Sequence, residues 1–408
     1  MNSKWTTARL KDLALINRES YSRSDGWDFV NYLDTGSITK GVIDKITLID
    51  LRHEKLPSRA RRKVAPYDII YSTVRPNQEH YGIIRHPVAN MLVSTGFVTI
   101  TAKEGVDAQY LYYYLSQPQI TTYLHAIAEQ RVSTYPALNV SDLEELPITV
   151  PPLRIQQEIG EMLSCLDAKI DLNDRMNENL EKQAQAIFKS WFVDFEPFHD
   201  GEFVDSVIGP IPKGWKACAV TDVIDVNPKR KLDKGTSAKY LSMANVSTSG
   251  PRVLGWEQRN FTSGTCFMNG DVLLARITPS LEHGKTAFVD FLADQEVGWG
   301  STEFIVMRSR EPLPLEYTYC LAKHEPFREH MIKSMTGTSG RQRAQVDALK
   351  HYFLAIAPKD VYAEFQEIVI PFFLAIRRNA TENQVLAALR DTLLPKLMSG
   401  EIEVPVVY

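Results

Sequence analysis

The sequence predicts an α+β protein built twice over: two similar mixed α/β domains joined by two long antiparallel coiled-coil helices, a pseudo-twofold dumbbell. Three observations lead there. The second half of the 408-residue chain repeats the residue spacing of the first. Each half opens with short Val, Ile, Tyr and Thr runs broken by Gly and Pro, and each closes in a long stretch of helical periodicity. The expected segments are a first domain over 1–150, a first spacer helix over 151–200, a second domain over 201–358 and a second helix over 359–408.

Both domains start alike, since Trp5, Asp12 and Asn17 recur as Trp215, Asp222 and Asn227. Further on, Tyr67-Asp68-Ile69-Ile70-Tyr71-Ser72 matches Gly270-Asp271-Val272-Leu273-Leu274-Ala275, a turn followed by a strand, with Pro76 and Pro279 behind it. Ser94-Thr95-Gly96-Phe97-Val98 resembles Ser301-Thr302-Glu303-Phe304-Ile305, and Pro152 meets Pro358. After each of those prolines the apolar period becomes helical. Ile155, Ile159, Met162, Leu166, Met176, Leu180, Ile187 and Trp191 form one expected seam; Phe365, Ile368, Phe372, Ala375, Leu386, Leu389 and Leu393 form the other. Asn173, and Asn379 with Glu382, interrupt these seams near their middles, where a polar residue fixes register at some cost in stability.

Composition excludes several classes. With 44% hydrophobic and 24% charged residues the chain is neither disordered nor membrane-embedded. Its longest apolar run, Ile368 to Ile376, contains Pro371 and is too short to cross a bilayer. The opening residues lack a secretory pattern, so a cytoplasmic location is expected. Cys165, Cys218, Cys266 and Cys320 are scattered and read as buried or inert thiols, with no metal site expected. The net charge of −4 hides an uneven distribution. Residues 154–200 carry five basic and ten acidic groups and residues 359–408 five and seven, which leaves +3 for the remainder.

No catalytic residues are expected. Gly284-Lys285-Thr286 falls short of a phosphate-binding loop because Pro279 stands where that loop needs glycine. Cofactor-binding, methyltransferase and helicase motifs are likewise missing from the sequence. The informative features are cationic. Arg59, Arg61, Arg62 and Lys63 precede the repeated aspartate turn, and Lys229, Arg230 and Lys231 follow the repeated asparagine; both clusters suit phosphate contacts. Two loop types suit base edges. One carries Arg75, Asn77 and Gln78 in the first half and Arg276 and Thr278 in the second. The other carries Arg131, Ser133 and Thr134, and then Ser339, Arg341, Gln342 and Arg343. Each type occupies equivalent places in both repeats, against the alternative of ordinary solvent loops.

On these residues the chain resembles the specificity subunits of Type I restriction-modification systems. The resemblance is carried by Ile187-Phe188-Lys189-Ser190-Trp191-Phe192-Val193-Asp194-Phe195-Glu196-Pro197 and Leu393-Leu394-Pro395-Lys396-Leu397-Met398-Ser399-Gly400-Glu401-Ile402, which close the two helices. Ile208-Gly209-Pro210-Ile211-Pro212-Lys213-Gly214-Trp215 adds to it. It implies two target-recognition domains reading halves of a bipartite double-stranded DNA site, with the helices as a ruler. It also implies two methyltransferase subunits and two restriction subunits as partners. Those subunits would supply S-adenosylmethionine, ATP and magnesium, none of it bound by this chain. Phe188, Trp191, Phe192 and Phe195 are more aromatic than a two-helix seam needs, and either dock the methyltransferase or cap the domain core. Two other readings stay open: a protein-binding repeat adaptor, which the negative charge favours, and a self-sufficient modification enzyme, which the missing motifs disfavour.

Overall fold

Asn17 and Asn227 both take the left-handed backbone (φ 52° and 50°) that asparagine tolerates better than other side-chain-bearing residues. Each then clamps a neighbouring strand in the same way. Asn17 donates its N–H to Thr99 O (2.8 Å) and accepts the Thr99 N–H on Oδ1 (3.0 Å). Asn227 does so with Val306 at 2.7 and 2.9 Å. The repeat seen in the sequence is therefore a repeat of backbone-fixing contacts.

The computed structural model describes residues 5–131 and 136–404. It divides into two compact units, one comprising 1–169 with 385–408, the other 170–384. In the first unit one four-stranded sheet runs Thr47–Asp50, Phe29–Leu33, Met91–Ser94, Ala60–Lys63, and a second runs Ala14–Ile16, Phe97–Ala102, Asp68–Ser72, Tyr81–Ile84. In the second unit the corresponding orders are Glu257–Asn260, Ser237–Leu241, Gly298–Gly300, Thr265–Phe267, and Ile224–Val226, Phe304–Ser309, Val272–Ala275, Thr286–Phe288. Each unit has one parallel pairing in its first sheet, Phe29–Leu33 with Met91–Ser94 and Ser237–Leu241 with Gly298–Gly300. Each is also closed by an antiparallel ladder, Thr6–Arg9 on Pro147–Val150 and Lys216–Ala219 on Phe353–Ile356. The four-stranded sheets and the closing ladder correspond strand for strand between the units, whereas the hairpin Ile38–Thr39/Val42–Ile43 belongs to the first alone and Phe203–Ser206/Gly209–Pro212 to the second.

Strand Asp68–Ser72 is buried throughout, and so is Val272–Ala275. Their leading aspartates close the preceding turns: Asp68 accepts the Ala65 N–H and Asp271 the Met268 N–H, both at 2.8 Å. That role requires a short carboxylate at this position, which is why the aspartate repeats while its neighbours drift.

Two helices complete the units, α1 (Leu153–Phe192) and α2 (Lys359–Ser399). In the second unit they run antiparallel through a polar layer in which Asn173 donates to Glu382 and Asn383, both at 2.8 Å. Asn379 donates to Asn177 at 2.9 Å. Asn173 and Asn379 occupy equivalent repeat positions, as do Asn177 and Asn383, so the two Asn–Asn pairs are copies of one another. In the first unit Arg390 of α2 pairs with Asp167 of α1 at 2.7 Å, again antiparallel in sense. Tyrosines on the short helices Ala108–Leu115 and Leu315–Lys323 tie each domain to α1. Tyr113 donates to Asp167 and Tyr319 to Glu181, both at 2.5 Å, and burial pushes both phenols above their ordinary range.

The seam departs from the expected one. Met162, Met176, Ile368 and Leu389 are exposed, while Leu163, Ala184, Val369 and Ile376 are buried. A two-helix stripe does not account for this, because each helix must also turn apolar side chains towards the domain it carries. The docking reading is corrected for Phe188 and Phe192 for the same reason. Phe188 and Phe192 lie in the core of the second unit with Tyr317, Tyr362 and Phe365, and Trp191 and Phe195 pack partly buried against it. A ring stacked at 5.3 Å on Tyr362, as Phe192 is, has no face left for a partner. Cys165 is likewise exposed instead of buried.

Candidate nucleic-acid interface

The two loop types singled out in the sequence come together in the second unit, and in the first unit the loop of Arg75 is joined by Pro136–Leu138, the described residues that follow the other loop. In the first, Val74 bridges Ala137: the Arg75 N–H donates to Pro136 O and the Leu138 N–H to Thr73 O, both at 2.8 Å. In the second, Ile277 bridges Arg343, with the Thr278 N–H on Gln342 O (3.0 Å) and the Ala344 N–H on Arg276 O (2.8 Å). Two segments about sixty residues apart in the chain thus form one edge, at equivalent repeat positions. Such an edge lines up polar side chains from two loops on one rigid support.

The residues on these edges differ in what they can do. Arg75 takes a left-handed conformation (φ 46°) and starts a turn that leaves Asn77 and Gln78 exposed. In the second unit a hairpin between Thr336 and Arg343 turns through Gly337 and Gly340, both at positive φ, and holds Ser339 and Arg341 out in solvent. Gln342 is half-buried and its N–H donates to Thr278 Oγ1 at 3.1 Å. Thr278 is 9% exposed, so its hydroxyl serves the loop and not a base edge, a correction to the sequence expectation. Arg276 is corrected as well: its Nη2 donates to Ala344 O at 3.0 Å and fastens the two segments together. Arg131 ends a helix over Pro118–Arg131, while Ser133 and Thr134 lie outside the described residues.

The cationic clusters sort in a similar way. Arg59 and Arg61 are exposed and form no ion pair among the described residues. Arg62 is half-buried with its Nε unpartnered, and burial pushes its pKa down. Lys63 is corrected: its ammonium sits 2.6 Å from Asp25 and 5.3 Å from the centre of the Trp27 ring, so its charge is already neutralised. Lys229 is exposed and Lys231 lies in a loose exposed pair with Asp233 at 3.8 Å. Arg230 is corrected, because together with Arg308 it neutralises the fully buried Asp271 at 3.1 and 2.7 Å. An unpaired carboxylate there would be costly, so Arg230 belongs to the scaffold. Sequence reasoning missed Asp25, Trp27, Glu303 and Arg308, each about forty residues from the charged partner it meets.

No group of three or more His, Cys, Asp or Glu that could hold a metal occurs among the described residues, and no described helix is long and apolar enough to cross a membrane. What the edges offer is hydrogen-bonding side chains and positive charge.

Residues 2–182 match the family described as the Type I restriction modification DNA specificity domain. Over those residues the chain is similar to the Type I restriction-modification specificity family. Among its relatives, the Type I restriction enzyme MjaIX specificity subunit of Methanocaldococcus jannaschii is 27% identical, over 86% of this chain and 81% of that one. The Type I restriction enzyme HindI specificity subunit of Haemophilus influenzae is 25% identical, over 98% of this chain and all of that one. The crystal structure of the Type-I restriction-modification system S subunit from M. genitalium shares the fold, with a TM-score of 0.53, 14% identity and 97% of each chain covered.

Proposed function

We infer that this chain is the DNA-recognition subunit of a Type I restriction-modification complex, each of its two mixed domains reading one half of a bipartite target. The observation carrying this reading is the pair of loop edges, each built by one equivalent bridge with its two backbone hydrogen bonds and furnished with different polar side chains. In the first half Arg75, Asn77 and Gln78 offer donors and acceptors to base edges; in the second Ser339, Arg341 and Gln342 do so. Arg59, Arg61, Lys229 and Lys231 supply phosphate contacts, which position the protein without reading sequence. The reading divides the chain into recognition domains over 1–150 and 201–358 and spacer helices over 151–200 and 359–408.

Two half-site readers on a stiff spacer gain affinity through effective concentration only where the half-sites lie at the matching distance. Spacing then becomes part of the recognised sequence. The chain supplies the address and no catalytic group. Two methyltransferase subunits and, in the full complex, two restriction subunits act on the DNA in the cytoplasm. They bring S-adenosylmethionine, ATP and magnesium with them.

Mapping methylated adenines genome-wide in the host, with and without this gene, tests the reading. The expected result is one bipartite motif that disappears with the gene. An unchanged methylation pattern in a host whose methyltransferase subunit is active would refute it.

A further inference from the structure

The inference rests on the DNA-reading function proposed above and concerns the second unit alone. Arg343 lies in the hairpin strand that bridges Ile277, yet its guanidinium is turned onto Glu303. Its Nε donates to both carboxylate oxygens (3.0 and 2.9 Å) and its Nη2 to Oε1 (2.7 Å). The side chains are 44% and 20% exposed, so solvent reaches the pair and holds it only weakly.

The first unit builds the same edge without this pair. Ala137 takes the bridge position of Arg343, and Gly96 takes that of Glu303, accepting the Thr73 N–H where Glu303 accepts the Arg276 N–H. The backbone arrangement therefore requires neither charge. What the carboxylate does is occupy the two-nitrogen fork with which arginine grips bidentate acceptors, the O6 and N7 edge of guanine among them. A carboxylate also repels phosphate, whereas a neutral base edge can displace it without that penalty.

We propose that Glu303 is a specificity-determining residue that masks Arg343 from the DNA backbone and yields it only to a guanine edge in the half-site read by the second unit. On unrelated DNA the pair stays closed and Arg343 adds nothing to binding. On the target the fork exchanges Glu303 for guanine.

The test measures binding of the full-length chain to a random-sequence duplex across a salt series, for the unaltered protein, Glu303→Gln, Arg343→Ala and the double variant. Glu303→Gln should tighten binding about fivefold near ~0.15 M salt and steepen the log–log salt slope by about 0.9, as one released cation would. Arg343→Ala alone uncovers the Glu303 carboxylate and should not tighten random binding, and in its background the glutamine should restore binding only to that of the unaltered protein, without steepening the salt slope beyond it. Selection from a randomised duplex pool should then show Arg343→Ala losing its preference for guanine at one position. A double variant that binds random duplex as tightly and with as steep a slope as Glu303→Gln would reduce Glu303 to a general negative charge and overturn the masking. So would an unchanged slope in Glu303→Gln. Unaltered protein that shows no salt-dependent duplex binding would instead remove the DNA-reading function itself. Should Glu303→Gln unfold, Glu303→Gly substitutes for it, since the first unit already carries glycine at that position.

Discussion

Replacing Arg59 and Arg61 together by alanine should weaken binding to random duplex DNA while leaving the fold intact, and replacing Lys63 should do the reverse. The difference follows from what each cation meets. Arg59 and Arg61 are exposed, without an ion pair among the described residues, so each is free to displace condensed counterions. Lys63 is 2.6 Å from Asp25 and over the Trp27 ring, so its charge is spent within the protein. Each phosphate contact contributes about 0.9 to the salt slope. Between ~1 M and ~0.15 M salt that is roughly a fivefold change per contact, or about 30-fold for two. The assay is fluorescence anisotropy with a labelled random duplex over a salt series. The Arg59→Ala/Arg61→Ala variant should lose about 1.8 from the slope, and Lys63→Ala close to none. Lys63→Ala should instead lower the unfolding midpoint of the first unit, because Asp25 loses its partner. Equal slope changes in both variants would refute the sorting of cations by their internal partners.

Three further outcomes follow from the scaffold. Asn173→Leu removes the hydrogen bonds donated to Asn383 and Glu382 and should cost about 1–3 kcal/mol, and the cost of Asn173→Leu with Asn383→Leu should fall short of the sum of the two single variants; a calorimetric double-mutant cycle without such coupling would contradict the polar layer. Phe192→Ala should destabilise the second unit by about 3–5 kcal/mol, and an unchanged thermal transition would show that the ring does not sit in that core. The hydrogen bond from Lys63, then that from the Ser22 N–H, holds the Asp25 carboxyl below its ordinary 3.8. Since the folded value lies below the unfolded one, its contribution is present above about pH 4 and is lost as the pH falls through the folded value. Asp25→Asn should flatten that part of the acid limb in unfolding measurements, and an unaltered limb would argue against the pair.

Much of the fold was legible because the repeat preserves residues with backbone duties. Asn17 and Asn227 need a residue that tolerates positive φ, and Asp68 and Asp271 need a short acceptor to close a turn. Neither duty depends on distant parts of the chain, so spacing alone revealed both. The helices were legible as helices but not face by face, since Met162 and Leu163 exchange roles according to which domain surface lies beside them. The site was legible as a set of loops, but not as to which cations are free. Lys63 meets Asp25 across 38 residues, Arg230 meets Asp271 across 41 and Arg343 meets Glu303 across 40. Nothing local in sequence announces such pairs. A basic cluster looks the same whether its charges face solvent or a buried carboxylate.

The two units show how one scaffold can carry two different recognitions. Positions that must agree do agree: the clamping asparagine, the turn aspartate and the bridges that join the loop segments. Positions that the bridges merely support are free to differ, and they do. Arg75 stands where the second unit has Thr278, Ala137 where it has Arg343, and Gly96 where it has Glu303. Because the bridging backbone hydrogen bonds do not use the side chains of Arg343, Glu303 or their counterparts, substitution at those positions leaves the bridge intact and changes what it presents, whereas the Thr278 hydroxyl also holds the Gln342 N–H. On the proposed reading, a single substitution there alters which bases one half-site demands. That separation of duties is what a duplicated reader needs if its two halves are to diverge independently.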